Sequence, residues 1–191
     1  STLLSAFAGF LWPDSGTLIM TGEDVSRAPV AKRPLSILFQ DGNLFPHLSV
    51  FDNVALGIEP SLKLHPEDQA RVAASLADVG LENMGHRKPA DLSGGQQSRV
   101  ALARMLLREK PLTLLDEPFA ALDPGLRREM LSLVRTLCDE TGQTLIMATH
   151  DLRDAERLCD RVLLLDDGAV ALDAPLSEAI ANDAEPLRPW M

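Results

Sequence analysis

The chain has 191 residues, 46% of them apolar, which is enough for one domain with a substantial core and too apolar for a disordered sequence. Its formal net charge of −10 argues against a general nucleic-acid surface, which needs a basic stripe, and against polybasic docking on an anionic membrane. The longest apolar stretch, residues 3–12, is interrupted by Ser5 and too short to cross a bilayer, no signal peptide is visible, and Cys138 and Cys159 read as free thiols of a reducing compartment.

Residues 1–10 predict an apolar helix, followed by a turn at Pro13-Asp14-Ser15-Gly16. Residues 17–20 read as a short strand running into Gly22. Residues 35–39 read as a buried strand ending at Gln40, and the loop Asp41-Gly42-Asn43 follows. A helical stretch is expected within 44–58. Residues 66–79 predict a helix, because Val72, Leu76 and Val79 fall at i, i+4 and i+7 and Pro66 suits the first turn; Gly80 stops it.

After a looser stretch over 82–91 comes Leu92-Ser93-Gly94-Gly95-Gln96-Gln97. Ser93 can cap a helix here, and the two glycines let an anion approach bare backbone N–H groups where the helix dipole favours negative charge. Ser93 with Gln96 is equally a plain capping box. The helix that follows carries Val100, Ala103 and Leu107 on its apolar side. Residues 112–115 read as a buried strand that delivers Asp116 and Glu117 to its carboxyl end, where open α/β sheets bind ligands, and Pro118 stops it. Asp123 can cap a helix beginning at Pro124, whose apolar stripe is Leu126, Met130, Leu133, Val134 and Leu137. A strand over 144–148 runs toward His150, a helix over 152–158 follows, and a last strand covers 162–165. Strands alternating with helices imply a parallel sheet covered on both faces. The strand-free segment 44–107 is read as a helical subdomain inserted in that α/β core.

The ordered set then resembles a known family. Leu92-Ser93-Gly94-Gly95-Gln96-Gln97, the strand into Asp116-Glu117, Ala121-Leu122-Asp123, and Ala148-Thr149-His150-Asp151 resemble the signature, Walker B, D-loop and switch-histidine motifs of ATP-binding cassette (ABC) ATPases. Phe39-Gln40-Asp41-Gly42-Asn43-Leu44-Phe45-Pro46 resembles the Q-loop. Ser1-Thr2-Leu3-Leu4 resembles the end of a P-loop, G-x-x-x-x-G-K-[ST], entering its helix. A small departure is Ser98, where the family often has Gln; the large one is the start, where the rest of the P-loop and the aromatic residue that the family stacks on adenine are missing, with no Tyr anywhere in the sequence.

That resemblance implies a P-loop NTPase-type fold, a parallel sheet flanked by helices with the helical subdomain inserted. It also implies ATP and Mg²⁺ as bound species. Glu117, His150 and Gln40 would be catalytic: Glu117 as base or water positioner, His150 on the γ-phosphate, and Gln40 reaching metal and water. Ser1, Gln40 and Asp116 would serve the metal. Ser1, Thr2, Ser93, Gly94, Gly95, Gln96 and Asp123 would serve the nucleotide, with the Ser93 segment acting on ATP held by a second subunit. His47, His65 and His86 are expected to be structural. The resemblance further implies a chain shortened within its P-loop and inactive alone.

Its partners would be a second ATPase subunit, membrane permease subunits and, indirectly, a periplasmic binding protein, with no nucleic acid. Its place would be peripheral, on the cytoplasmic face of the inner membrane. The stretch from Leu44 to Val54 is similar to bacterial importer ATPases, with thiamine the first expectation for cargo; iron, sulfate, molybdate and polyamine importers share much of the pattern. A soluble ABC protein of DNA repair or translation, and a non-catalytic dimerising cassette, are the competing expectations.

Overall fold

A computed structural model describes residues 2–38, 44–120 and 122–190. The sequence-predicted residues Ser1, Gln40 (with Phe39, Asp41, Gly42 and Asn43) and Ala121 lie outside the described residues.

The chain starts in helix α1 (Thr2–Ala8) and passes through two short strands, β1 (Ile19–Met20) and β2 (Glu23–Asp24), to β3 (Leu35–Leu38). Three helices follow, α2 (Val50–Ala55), α3 (Pro66–Asp78) and α4 (Gly94–Leu106). The chain then alternates through β4 (Leu112–Asp116), α5 (Pro124–Thr141), β5 (Thr144–Ala148) and α6 (Leu152–Leu158). It ends with β6 (Arg161–Asp166), β7 (Ala169–Pro175) and α7 (Leu176–Ala181).

The central sheet is parallel, in the order β3–β4–β5. Its middle strand is apolar on both faces because both are covered. Leu115 packs into a core with Leu102, Met105, Met130 and Val134 from α4 and α5. Leu114 points to the opposite side and packs with Leu4 and Ala8 of α1, Met20 and Val25. The neighbouring strands follow the same period of two. Leu145 and Met147 join the first core, whereas Ile146 and Ala148 join the second. The chain therefore folds as an α/β domain, a parallel sheet flanked by helices.

A third core gathers Val50, Val54 and Ala55 of α2, Val72 and Leu76 of α3, and Val100 and Ala103 of α4. Helix α4 serves both this core and the sheet, with Leu102 turned to one and Val100 to the other.

Local boundaries depart from the periodicity in physically clear ways. The first helix stops at Ala8 because Gly9 takes a left-handed φ of 89° and the buried Arg33 ends the helix in place of further turns. Arg33 Nη1 donates to the carbonyls of Ala6 at 2.6 Å and Phe7 at 2.7 Å, while Nε donates to Ala28 at 3.1 Å. The strand expected over 17–20 shrinks to β1, which turns back through Thr21 (φ 49°) and Gly22 (φ 85°) to pair antiparallel with β2. The helix expected within 44–58 shrinks to α2, because the Ser49 hydroxyl accepts from the Asp52 N–H at 3.0 Å and fixes the start there. At the carboxyl end, Asp167 (φ 45°) and Gly168 (φ 78°) turn β6 back onto β7 as an antiparallel hairpin that periodicity alone did not predict.

Asn53 holds the segment ahead of α2 in place. It is 0% exposed, accepts from the Phe45 N–H at 2.7 Å, and donates to the carbonyls of Phe45 (3.0 Å) and Ser49 (2.9 Å). Asn53→Ala would take the partner from the Phe45 N–H, while the Phe45 and Ser49 carbonyls keep the backbone N–H groups of Leu48 and residue 53, and should cost about 1 kcal/mol, read as a lower midpoint in urea unfolding of the whole protein. A change below ~0.5 kcal/mol, the ordinary scatter of surface substitutions, would show that this loop is held by other contacts.

Candidate functional site

The carboxyl ends of β4 and β5 lie side by side, with Asp116 in register with Ala148. Immediately beyond that pair the chain does something costly. Glu117 adopts φ 45°, a left-handed conformation that a non-glycine residue avoids, and its N–H donates to the Ala148 carbonyl at 3.1 Å. This one bond replaces the next rung of the ladder and turns the side chain away from the strand line. Glu117 Oε2 then lies 3.1 Å from Nδ1 of His150, two residues past the end of β5. Both side chains are partly open, at 40% and 58% exposure.

They face a narrow crevice at the ends of the two strands. Its wall is made by Glu117, Pro118, Phe119 and Ala120 on one side, and by Thr149, His150, Arg127 and Asp154 on the other. Phe119 is buried beneath it and anchors the loop to the core between the sheet and α5. A carboxylate and an imidazole in mutual contact, next to a second carboxylate at a strand end, form a set able to orient water and to support a hard cation.

Two helix starts complete the arrangement. Ser93 caps α4: its hydroxyl accepts from the Gln96 N–H at 3.3 Å, while Gln96 Oε1 accepts from the Ser93 N–H at 3.0 Å. The capping box is therefore real. A Cβ at Gly94 would meet nothing within 4 Å, so its backbone is open to approach. Gly95 is the opposite, since a Cβ there would lie 2.2 Å from Leu126 Cδ2. Its missing side chain is what lets α4 seat on the first turn of α5. Asp123 caps that same turn, Oδ1 accepting from the N–H groups of Gly125 and Leu126 at 3.1 Å each.

The structure thus brings Glu117, His150 and Asp116 to one edge of the sheet, and packs the Ser93–Gln96 segment against the helix that Asp123 begins. Thr2 is exposed at the first position of α1 and is joined to neither group by a described contact. Sequence reasoning passed over Arg127 and Asp154. Their only sequence signal is a charged residue in the first turn of each of two helices, which is common on any surface. Next to His150, Asp151 caps α6, and its carboxyl is held below the usual range first by hydrogen bonding from the Arg153 guanidinium.

The profile of the ABC transporter family matches residues 1–120. The thiamine import ATP-binding protein ThiQ of Jannaschia sp. (strain CCS1) is 79% identical over 191 residues, covering 100% of this chain and 83% of that relative. The protein of the same name from Cereibacter sphaeroides is 49% identical over the same spans, 100% and 83%. The one from Escherichia coli (strain K12) is 47% identical over 184 residues, 96% of this chain and 79% of the relative.

The left-handed backbone at Glu117 has a measurable cost. Glu117→Gly should hold or raise stability by up to about 1 kcal/mol, whereas Glu117→Val should lose ~1–2 kcal/mol, as β-branching makes that conformation worse. Thermal melts of the two variants compare them directly, and a glycine variant less stable than the valine one would show that no strain sits there.

Proposed function

The chain belongs to the ABC transporter family, and on that footing we propose that it is the ATP-hydrolysing subunit of a bacterial importer whose cargo is thiamine. ATP binding and hydrolysis follow from the family, as does a permease partner in the membrane. The cargo rests on the relatives, each named a thiamine import ATP-binding protein, at 47–79% identity over 96–100% of the chain. No residue here needs to recognise thiamine, since this subunit handles the nucleotide. Among the described residues no helix is long and apolar enough to cross a membrane, which agrees with a subunit that docks peripherally, on the cytoplasmic face where ATP is held.

One observation carries the reading: Glu117 and His150, from adjacent parallel strands, meet at 3.1 Å beside Asp116. ATP hydrolysis asks little covalent work of the protein, mainly phosphate positioning, charge neutralisation and an oriented water. Glu117 is placed to orient or deprotonate that water, and His150 to steady both Glu117 and the γ-phosphate. Asp116 and Glu117 offer only hard oxygen donors, and no described cluster of three or more His, Cys, Asp or Glu side chains forms a cage. That suits Mg²⁺, which binds through one or two carboxylates and leaves its other positions to phosphate and water. Mg²⁺, when bound, neutralises charge on the transferring phosphoryl group. Asp116 would support it, together with Ser1 and Gln40, and Thr2 would face the phosphates beside Ser1.

Ser93, Gly94, Gly95 and Gln96 belong in this reading to a different nucleotide, held by the second subunit of a homodimer. The open approach at Gly94 supports that role, and Asp123 would carry the signal across the dimer. The helices of 44–107 gather a core of their own, which supports reading them as a helical subdomain. Closure of the dimer follows from ATP binding more tightly to the closed than to the open state. A periplasmic binding protein would meet the permease on the other side of the membrane.

Glu117→Gln in the assembled transporter should keep ATP binding and lower turnover by about 10²–10⁴-fold, the usual contribution of a positioned base. Near-normal ATPase activity in that variant would remove Glu117 from the mechanism. A mixed dimer tests the trans role. With Ser93→Arg in one subunit and Glu117→Gln in the other, both lesions fall on one nucleotide if Ser93 acts in trans, and the other site keeps turnover. Two dead sites, with each subunit's own nucleotide affected by its own substitution, would place Ser93 in cis.

A further inference from the structure

Behind the Glu117–His150 contact lies an ion pair that this chemistry leaves unused. Arg127 sits in the first turn of α5, the turn that Asp123 caps. Its Nε donates to Asp154 Oδ2 at 2.7 Å, its Nη2 donates to the same oxygen, and Nη2 also lies 3.8 Å from Asp151 Oδ2. Asp154, on α6, is 8% exposed. Arg127 and Asp154 line the same crevice as Glu117 and His150.

The residues flanking His150 are locked to this pair. The Asp151 N–H donates to the Thr149 hydroxyl at 3.1 Å, bonding the two neighbours of His150 across it. The Asp151 carbonyl accepts from the Asp154 N–H at 3.1 Å. A single guanidinium therefore ties the turn that presents His150 to the turn that begins with Asp123. Stability alone explains this poorly, because apolar side chains of similar volume hold two helices together at least as well as a buried ion pair does. What the planar guanidinium adds is orientation, since two of its N–H groups converge on Asp154 Oδ2 from a rigid frame.

We infer that Arg127 and Asp154 are positioning residues for hydrolysis, holding His150 in register with Glu117 and linking it to the Asp123 turn. The inference rests on the roles given above to Glu117 and His150.

The test measures kcat and KM for ATP in the reconstituted transporter. Arg127→Lys keeps the charge and loses the planar guanidinium. It should lower kcat about tenfold, within the ~10²-fold that a 1 Å misplacement can cost, and leave KM within about twofold. In a His150→Ala background the same substitution should change kcat by less than about twofold, because its effect runs through His150. Equal losses in both backgrounds, or an unchanged kcat, would overturn the inference. A double variant, Arg127→Leu with Asp154→Leu, restores packing without charge. It should melt near the parent and still turn over slowly; recovery of full kcat would reduce the pair to packing and also overturn the inference. Parental turnover in His150→Ala alone is a separate result, which would overturn the role of His150 first and this inference with it.

Discussion

Everything in the candidate site depends on β4 being buried on both faces. Leu114 and Leu115 are fully enclosed, one against α1 and the other against α4 and α5. A strand pinned on both sides cannot slip, since a shift of one residue would exchange its two faces. Its register with β5 therefore fixes where Asp116 ends and where Glu117 begins. The Glu117 N–H reaching back to Ala148 continues that constraint by one residue. The left-handed backbone at Glu117 is tolerable because the sheet beneath it holds the chain so firmly.

Helix capping recurs through the rest of the molecule. Ser49, Ser93, Asp123 and Asp151 each begin a helix by accepting from backbone N–H groups one turn in. Three of the four border the candidate site. At Ser93 and Gln96 the structure shows the capping box, one of the two readings of that segment. The cap occupies the N–H of Gln96, and the open backbone at Gly94 lies ahead of it.

The fold was legible wherever a local pattern was enforced by burial. The strand over 144–148 and the helix over 152–158 were read to the residue, and β4 to within one, because apolar runs there are bounded by caps and turns. Boundaries failed where a single hydrogen bond or turn decided the matter, as at Ser49 and at Thr21-Gly22. The β6–β7 hairpin is legible in principle, since Asp167-Gly168 is a strong turn signal, but the expected strands end at residue 165, short of that turn. Within the site, Glu117 and His150 could be paired because each closes an apolar strand. Arg127 and Asp154 could not, because partners 27 positions apart leave no periodic trace in one sequence.

Arg33 and Gly9 offer a different kind of consequence. A Cβ at position 9 would lie 2.7 Å from Arg33 Nε, and the left-handed φ there already favours glycine. Any side chain at 9 would crowd the guanidinium, and loss of the guanidinium would take from the Phe7 carbonyl its donor at the end of α1, while the Ala6 carbonyl keeps the Gly9 N–H. The two positions thus form one structural unit. Across descendants of this sequence they should be kept or exchanged together, so the pair can serve as a marker for aligning distant members whose intervening loop has changed in length.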